Sequence, residues 1–232
     1  MPPVLRILAK RLGTSLIVLV GVSLLIFAIA RVIPGDPARI ALGPNATPEA
    51  VAALRDRLHL DDPFVLQYGY FLADLARGDL GISLYTNRPV TRDIADFLPA
   101  TLELVFAAGL MMVLFGLPLG VLSARYRGSW IDHSVRIVTL LGVSAPSFVW
   151  AVIFMLLFAF FIPLFPIAGR IADSFVVPPV TGFLLIDTLL AGNVRAFGNA
   201  AWHIILPAFA LALAGIAQAA RLTRSNLSLI HI

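Results

Sequence analysis

The 232-residue chain has no cysteine, and only 13% of its residues are charged. Without cysteine there is no disulfide framework, no thiolate nucleophile and no sulfur-based metal site. The four histidines are scattered without metal-ligand spacing, so no metal site is expected. No phosphate-cradling Gly-x-x-x-x-Gly-Lys-Ser/Thr sequence occurs, so the chain is not expected to hydrolyse ATP or to hold a nucleotide cofactor. Acidic and basic side chains are also missing from four long apolar runs. That absence removes the midplane carboxylate on which a proton-driven pump depends.

What is present in excess is hydrocarbon: 59% of residues are hydrophobic and the mean hydropathy is +0.94. An ordinary soluble domain carries about 45–50% apolar and about 25% charged residues. A chain of this size cannot bury that surplus in a soluble core, so the bilayer serves as solvent for much of it. A net charge of +4 could suggest nucleic acid. The basic residues, however, flank the apolar runs and form no basic face or stacking platform, which excludes that reading.

The uncharged runs are Leu12–Ala30 (19 residues), Leu104–Ala124 (21), Ile137–Gly169 (33) and Ala196–Ala220 (25). A spanning helix needs about 20 residues, so each run can cross once. The third would be roughly 50 Å long as one helix, against a hydrocarbon core of about 30 Å. Pro163 and Pro166 break it, and its span is predicted to end near Phe161. Pro146 predicts a kink within that span, where the lost helix hydrogen bond frees a backbone carbonyl. Ser144, Pro146 and Ser147 are accordingly the candidate pathway-lining residues.

Flanking charge orients the spans. Arg6, Lys10 and Arg11 precede the first, Arg125, Arg127 and Arg136 lie between the second and third, and Arg221 and Arg224 follow the fourth. Both termini are therefore expected in the cytoplasm. The segment Val32–Leu98, with six Arg against nine Asp plus Glu, is expected outside. Ala28-Ile29-Ala30 resembles a signal-peptidase site, but the apolar run exceeds a signal's usual length and an uncleaved span is expected. Within the external segment, Thr47-Pro48-Glu49 and Asp62-Pro63 each predict a helix start. The second helix carries the stripe Phe64, Tyr68, Phe71, Leu72 and Leu75, ends at Gly78, and should lie against the membrane surface or the bundle. Phe183–Leu190 is too short to span and reads as an interfacial or re-entrant helix.

Catalysis has little support. Glu103 reads as an interfacial carboxylate at the second span. Ser144 and His203 could suggest an intramembrane hydrolase, but their depths disagree: His203 belongs at the outer boundary and Ser144 near the inner end of its helix. Neither catalytic, cofactor-binding nor metal-binding residues are expected.

Several strings in order resemble the B-type permease of dipeptide, oligopeptide and nickel ABC importers. They are Leu5–Gly13, Val32–Pro37 (VIPGDP), Arg77–Ser83 (RGDLGIS), Arg88-Pro89-Val90, Leu98–Leu104 (LPATLEL) and Trp130–Val135. Gly142–Trp150 (GVSAPSFVW), Thr181–Asp187 (TGFLLID), Ile205-Leu206-Pro207 and Arg221–Ser225 (RLTRS) complete the series. The resemblance covers residues 5 to about 227. It implies an all-α membrane protein with part of the type-1 importer fold: four transmembrane helices of a usual six. Residues 1–98 would form the first span plus an external helical segment, and 99–232 a truncated transmembrane domain. The implied function is half of an ATP-driven peptide pathway across the inner membrane. The implied partners are a second, different permease, two cytoplasmic ATP-binding subunits and an external substrate-binding protein. Gly35, Asp36, Pro37, Gly78 and Asp79 are the candidate external contacts. Arg221, Thr223 and Arg224 would form the cytoplasmic approach to the family's coupling segment. The family's Glu-Ala-Ala…Gly signature does not follow Ser228–Ile232, so truncation, a frameshift or a fragment is expected, able to insert but not to transport. A gradient-driven transporter or channel and a structural membrane protein are the alternatives.

Overall fold

The computed structural model describes residues 3–32, 36–43, 45–83 and 85–230. Among these residues the chain is all-helical, with one isolated antiparallel bridge between Ile82 and Pro89 and no strand. It divides into two compact units, residues 1–94 and 95–232.

The first unit opens with α1 (Pro3–Val32), followed by α2 (Pro37–Leu42), α3 (Pro48–Arg57) and α4 (Phe64–Ala76). Capping residues followed by proline set two of the starts. The Asp36 carboxylate accepts from Ala38 N at 3.0 Å ahead of Pro37, and Thr47 Oγ1 accepts from Ala50 N at 3.3 Å ahead of Pro48. The helix expected after Asp62-Pro63 is α4, and Gly78, at φ +81°, turns the chain away after it. Most of α1 faces outward, with Leu12, Ile17 and Leu19 66–74% exposed, as suits a helix solvated by lipid. Phe27 is buried against the rings of Phe64, Tyr68 and Phe71, at centroid distances of 5.4–5.5 Å. The predicted aromatic stripe of α4 is thus its contact with α1.

The second unit is built on α5 (Val90–Arg125) and α9 (Val194–Ile230), each longer than its uncharged run. Between them lie α6 (Trp130–Ser144), α7 (Ser147–Met155), a π-helical segment (Leu156–Phe161) and α8 (Leu184–Leu190). α9 packs on α6, α7 and α8. Its Ala208, Ala212 and Ile216 join Ala108 of α5 in the core. Small side chains let the backbones approach, since lipid supplies no hydrophobic drive between helices. Among the described residues three helices are long and apolar enough to cross a membrane, or four if the bent pair Trp130–Ser144 and Ser147–Phe161 counts as one span.

The helical part of the third apolar run ends at Phe161, as its prolines predict. The expected kink at Pro146 needs correction: α6 stops at Ser144 and α7 restarts at Ser147, with 104° between them. Pro146 offers no N–H and drives Ala145 to an extended conformation (φ −130°, ψ 151°), so the chain turns a corner. The short apolar stretch near residue 187 is the seven-residue α8, too short to span.

Candidate functional site

The second unit keeps three carboxylates largely out of solvent, each fully partnered, and they fix its two ends. Asp132, in the first turn of α6, is 0% exposed. Its Oδ1 accepts from Ser123 Oγ of α5 at 2.6 Å and its Oδ2 from Gly128 N at 3.0 Å. Arg136, one turn further along α6, donates through Nη2 at 2.8 Å. Arg224 of α9 closes the clasp with a two-pronged contact, Nε to Oδ1 at 2.7 Å and Nη2 to Oδ2 at 3.0 Å. The planar guanidinium matches a carboxylate in this geometry. One buried acid therefore binds the C-terminal end of α5, the start of α6 and the far part of α9.

Toward the other end of α5, 13 residues in from Val90, stands Glu103. Its Oε1 accepts from Leu185 N in the first turn of α8 at 2.6 Å, and its Oε2 from Arg170 Nη2 at 2.8 Å. Arg170 also donates to the Gly182 carbonyl at 3.3 Å. Asp187 then organises the loop before α8, accepting from Thr181 Oγ1 at 2.6 Å and from the amides of Thr181, Gly182 and Val180 at 2.8–3.2 Å. The Thr181 hydroxyl, followed by these amides, holds the Asp187 carboxyl below its ordinary value against the opposing effect of burial. Gly182 is needed twice: it takes φ +82°, and a Cβ there would lie 2.9 Å from Pro99 Cγ.

Beside Glu103 is a cavity of about 280 Å³ lined by Thr101, Glu103, Arg170, Leu185, His203 and Pro207, among others. A ring nitrogen of His203 meets Asn199 O at 2.8 Å, while Ser144 Oγ donates to Leu141 O at 2.7 Å. The two residues considered as a hydrolytic pair each have a local backbone partner.

Ser144, Pro146 and Ser147 flank the α6–α7 corner and are exposed. Asp36 caps α2 and pairs with Arg55 at 2.9 Å; chiefly through that contact its carboxyl is held below its ordinary value. Pro37 is the first residue of α2, and Asp79 accepts from Gly81 N at 2.8 Å. Gly35 lies outside the described residues. On α9, Arg221 Nε donates to Ala217 O, Thr223 packs over Gly120, and Arg224 belongs to the clasp.

Sequence reasoning did not single out Asp132, Ser123, Gly116 or Gly120. A signal was present for three of them, Ser123 being the exception. Asp132 and Arg136 have the i,i+4 spacing of a helix-surface ion pair. Gly116-Leu117-Pro118-Leu119-Gly120 is a Gly-x-x-x-Gly, the pattern of close helix approach. Positions 116 and 120 are where α5 meets α9, and a Cβ on either would come within 2.7 Å of an α9 atom.

Long lipid-facing helices, a small-residue seam and ionisable groups tied into internal clasps define a multi-pass inner-membrane helical protein. Residues 116–229 match the binding-protein-dependent transport system inner membrane component, and residues 4–105 match the N-terminal part of such membrane components. The chain belongs to this family of transport permeases. It is 43% identical over 221 residues to a "Probable D,D-dipeptide transport system permease protein" of Escherichia coli (strain K12), covering 94% of this chain and 65% of the relative. It is 42% identical to a di/tripeptide transport system permease protein of Pseudomonas aeruginosa (strain UCBPP-PA14), covering 95% and 66%. A dipeptide transport system permease protein of E. coli K12 is 37% identical, with 96% and 67% covered. The chain thus spans about two thirds of the length of these relatives.

Proposed function

We propose that the protein is a permease subunit of an ATP-driven importer and forms half of the pathway that carries dipeptides or related peptides across the inner membrane. The observation that carries this reading is the 43% identity to a D,D-dipeptide permease, continuous over 94% of the chain and both of its units. The site geometry is compatible with it. Glu103 and Asp132, the acids nearest the two membrane boundaries, are each held by arginine, an arrangement suited to scaffolding and unsuited to carrying protons. Work must then come from a partner, and the partners proposed are a second permease, two cytoplasmic ATP-binding subunits and an external substrate-binding protein. Four crossings with both termini in the cytoplasm, and a division near residue 98 between the first span with its external helices and the transmembrane domain, complete the reading. The α6–α7 corner with Ser144, Pro146 and Ser147 is the proposed moving part. Gly35, Asp36, Pro37, Gly78 and Asp79 are the proposed external contacts, and Arg221, Thr223 and Arg224 the proposed cytoplasmic approach.

Alternating access supplies the mechanism in this reading: ATP-driven association of the nucleotide-binding subunits shifts the permeases between two states that differ in free energy. No covalent step takes place in this chain. The test is deletion of the encoding gene followed by uptake of a labelled dipeptide, with a tagged allele restored and extracted in mild detergent. Loss and recovery of uptake, with ATP-binding subunits copurifying, are expected. Unchanged dipeptide uptake, or a tagged protein free of ATP-binding subunits, would overturn the reading.

A further inference from the structure

Helix α4 has 13 residues, about 20 Å of helix, and cannot cross a bilayer. Its position beside α1 nevertheless fixes a depth. The uncharged part of α1 ends at Ala30. Phe27, whose ring meets three aromatic rings of α4, lies about 4.5 Å inside that end at about 1.5 Å per residue. Tyr68 reaches deeper: its hydroxyl donates to Val20 O at 3.3 Å and shares a hydrogen bond with Ser23 Oγ at 2.9 Å. Val20 is about 15 Å inside the same end. Both partners of that hydroxyl are supplied by α1, as a phenol denied water requires.

Three sides of α4 can be distinguished at about 100° per residue. Phe64, Tyr68 and Phe71 face α1. Gln67, Tyr70 and Asp74 lie on a second side, where Gln67 Nε2 donates to Leu60 O and Asp62 O of the preceding turn, Tyr70 stacks on His59 at 4.2 Å, and Asp74, near the helix end, pairs with Arg77 at 3.5 Å. The remaining side carries Val65, Leu66, Gly69 and Ala73, with no charge among them. Val65 is 78% exposed and Leu66 52%. Uncharged aliphatic surface at the depth of a membrane-spanning neighbour has lipid as its natural solvent.

We propose that α4 is embedded in the acyl-chain region of the leaflet that holds the C-terminal half of α1, with Val65 and Leu66 against lipid. It is not an aqueous helix lying above the membrane. The contacts run from about 4.5 Å to about 15 Å inside that end, so α4 reaches past the burial of roughly 5–10 Å typical of interfacial amphipathic helices. Anchoring by lipid on one side and α1 on the other would set the height of the α2–α3 region above the bilayer. This inference rests on α1 crossing the membrane and is independent of what the protein transports.

The absence of cysteine makes the test direct. Single nitroxide labels are placed at Val65→Cys, Leu66→Cys, Ile17→Cys and Asp79→Cys in the full-length protein, reconstituted in vesicles of phosphatidylethanolamine and phosphatidylglycerol. Collision with oxygen and with a water-soluble nickel chelate is then measured at each. Ile17, 74% exposed on α1, reports lipid, and Asp79, beyond the end of α4, reports water. At Val65 and Leu66, high oxygen collision and loss of chelate collision to the Ile17 level are expected. Chelate collision at the Asp79 level would overturn the proposal by placing α4 in water. Low collision with both reagents would overturn it by placing protein over that side. Folding is checked by the Ile17 label, whose lipid profile requires an inserted α1.

Discussion

Asp132 and its two arginines show how unequal the members of one ion cluster can be. The carboxylate is fully buried, whereas the Arg136 side chain is 52% exposed and that of Arg224 is 23% exposed. Arg136 lies on the same helix as Asp132, so its pairing adds only a local i,i+4 contact. Exposed pairs at this spacing contribute about 0.3–0.5 kcal/mol, and here only the arginine is exposed. Arg224 comes from a residue 92 positions away and fills both carboxylate oxygens, so its loss leaves a buried charge short of its main partner. Breaking a buried pair costs about 3–5 kcal/mol. Because Ser123, Gly128 and Arg136 would remain, Arg224→Ala should cost about 3 kcal/mol, at the low end of that range. Arg136→Ala should cost about 1 kcal/mol or less. Denaturation of the purified protein in detergent gives the comparison. Arg224→Lys should recover only part of the loss, because an ammonium cannot fork. If Arg136→Ala proved the more damaging change, the clasp between α6 and α9 would not be what stabilises this end of the bundle.

Among elements, the seam between α5 and α9 leaves no room for a side chain at two glycines. A Cβ at Gly120 would stand 2.6 Å from Thr223 Cβ and 2.7 Å from the Ala220 carbonyl; one at Gly116 would stand 2.7 Å from Ala219 Cβ and 3.2 Å from the Ile216 carbonyl. Overpacking of this kind costs about 1–3 kcal/mol. We expect both Gly116→Ala and Gly120→Ala to lower thermal stability in detergent, with different responses to compensation. Ala219→Gly should relieve much of the Gly116 clash, whereas Thr223→Gly should leave the Gly120 clash, whose second obstacle is backbone. Equal rescue at both sites would mean that the helices separate rather than hold a fixed distance. The elements themselves were largely legible in sequence. Thr47-Pro48 and Asp62-Pro63 marked α3 and α4, the aromatic stripe gave the side of α4 that meets α1, and the prolines after Phe161 gave the end of the helical part of the third run. Pro146 marked the break but not its 104° angle, which is fixed by how α6 and α7 pack on α9. The clasps were hidden for a similar reason. Asp132 and Arg224, or Glu103 and Leu185, are joined by folding across 92 and 82 positions, a distance at which local pattern carries no information.

At the scale of the whole molecule, the two clasps bear on how many times the chain crosses the membrane. Glu103 and Ser123 are 20 residues apart on α5, about 30 Å along its axis, which matches the thickness of a hydrocarbon core. Arg224 and Asp132 are tied to the Ser123 end, while Arg170, Leu185 and the Asp187 loop are tied to the Glu103 end. In the proposed arrangement the chain from Asp132 to Arg170 travels from one boundary to the other, although α6 and α7 meet at 104°. A re-entrant loop would return residue 170 to the side it left, parting Arg170 from Glu103. These ties are compatible with the proposed four crossings, and the arginines around 125–136 and 221–224 are the reason for proposing that the Ser123 end is cytoplasmic. Single cysteines at Asn45, Ser129, Asn193 and Ser228 test this arrangement. An impermeant thiol reagent should label Asn45→Cys and Asn193→Cys in cells with only the outer membrane opened. Ser129→Cys and Ser228→Cys should label only after the inner membrane is permeabilised. External labelling of Ser228→Cys together with protection of Asn193→Cys would mean that α6 and α7 dip and return. Such a result would require the Glu103–Arg170 and Asp132–Arg224 pairs to be broken in the membrane.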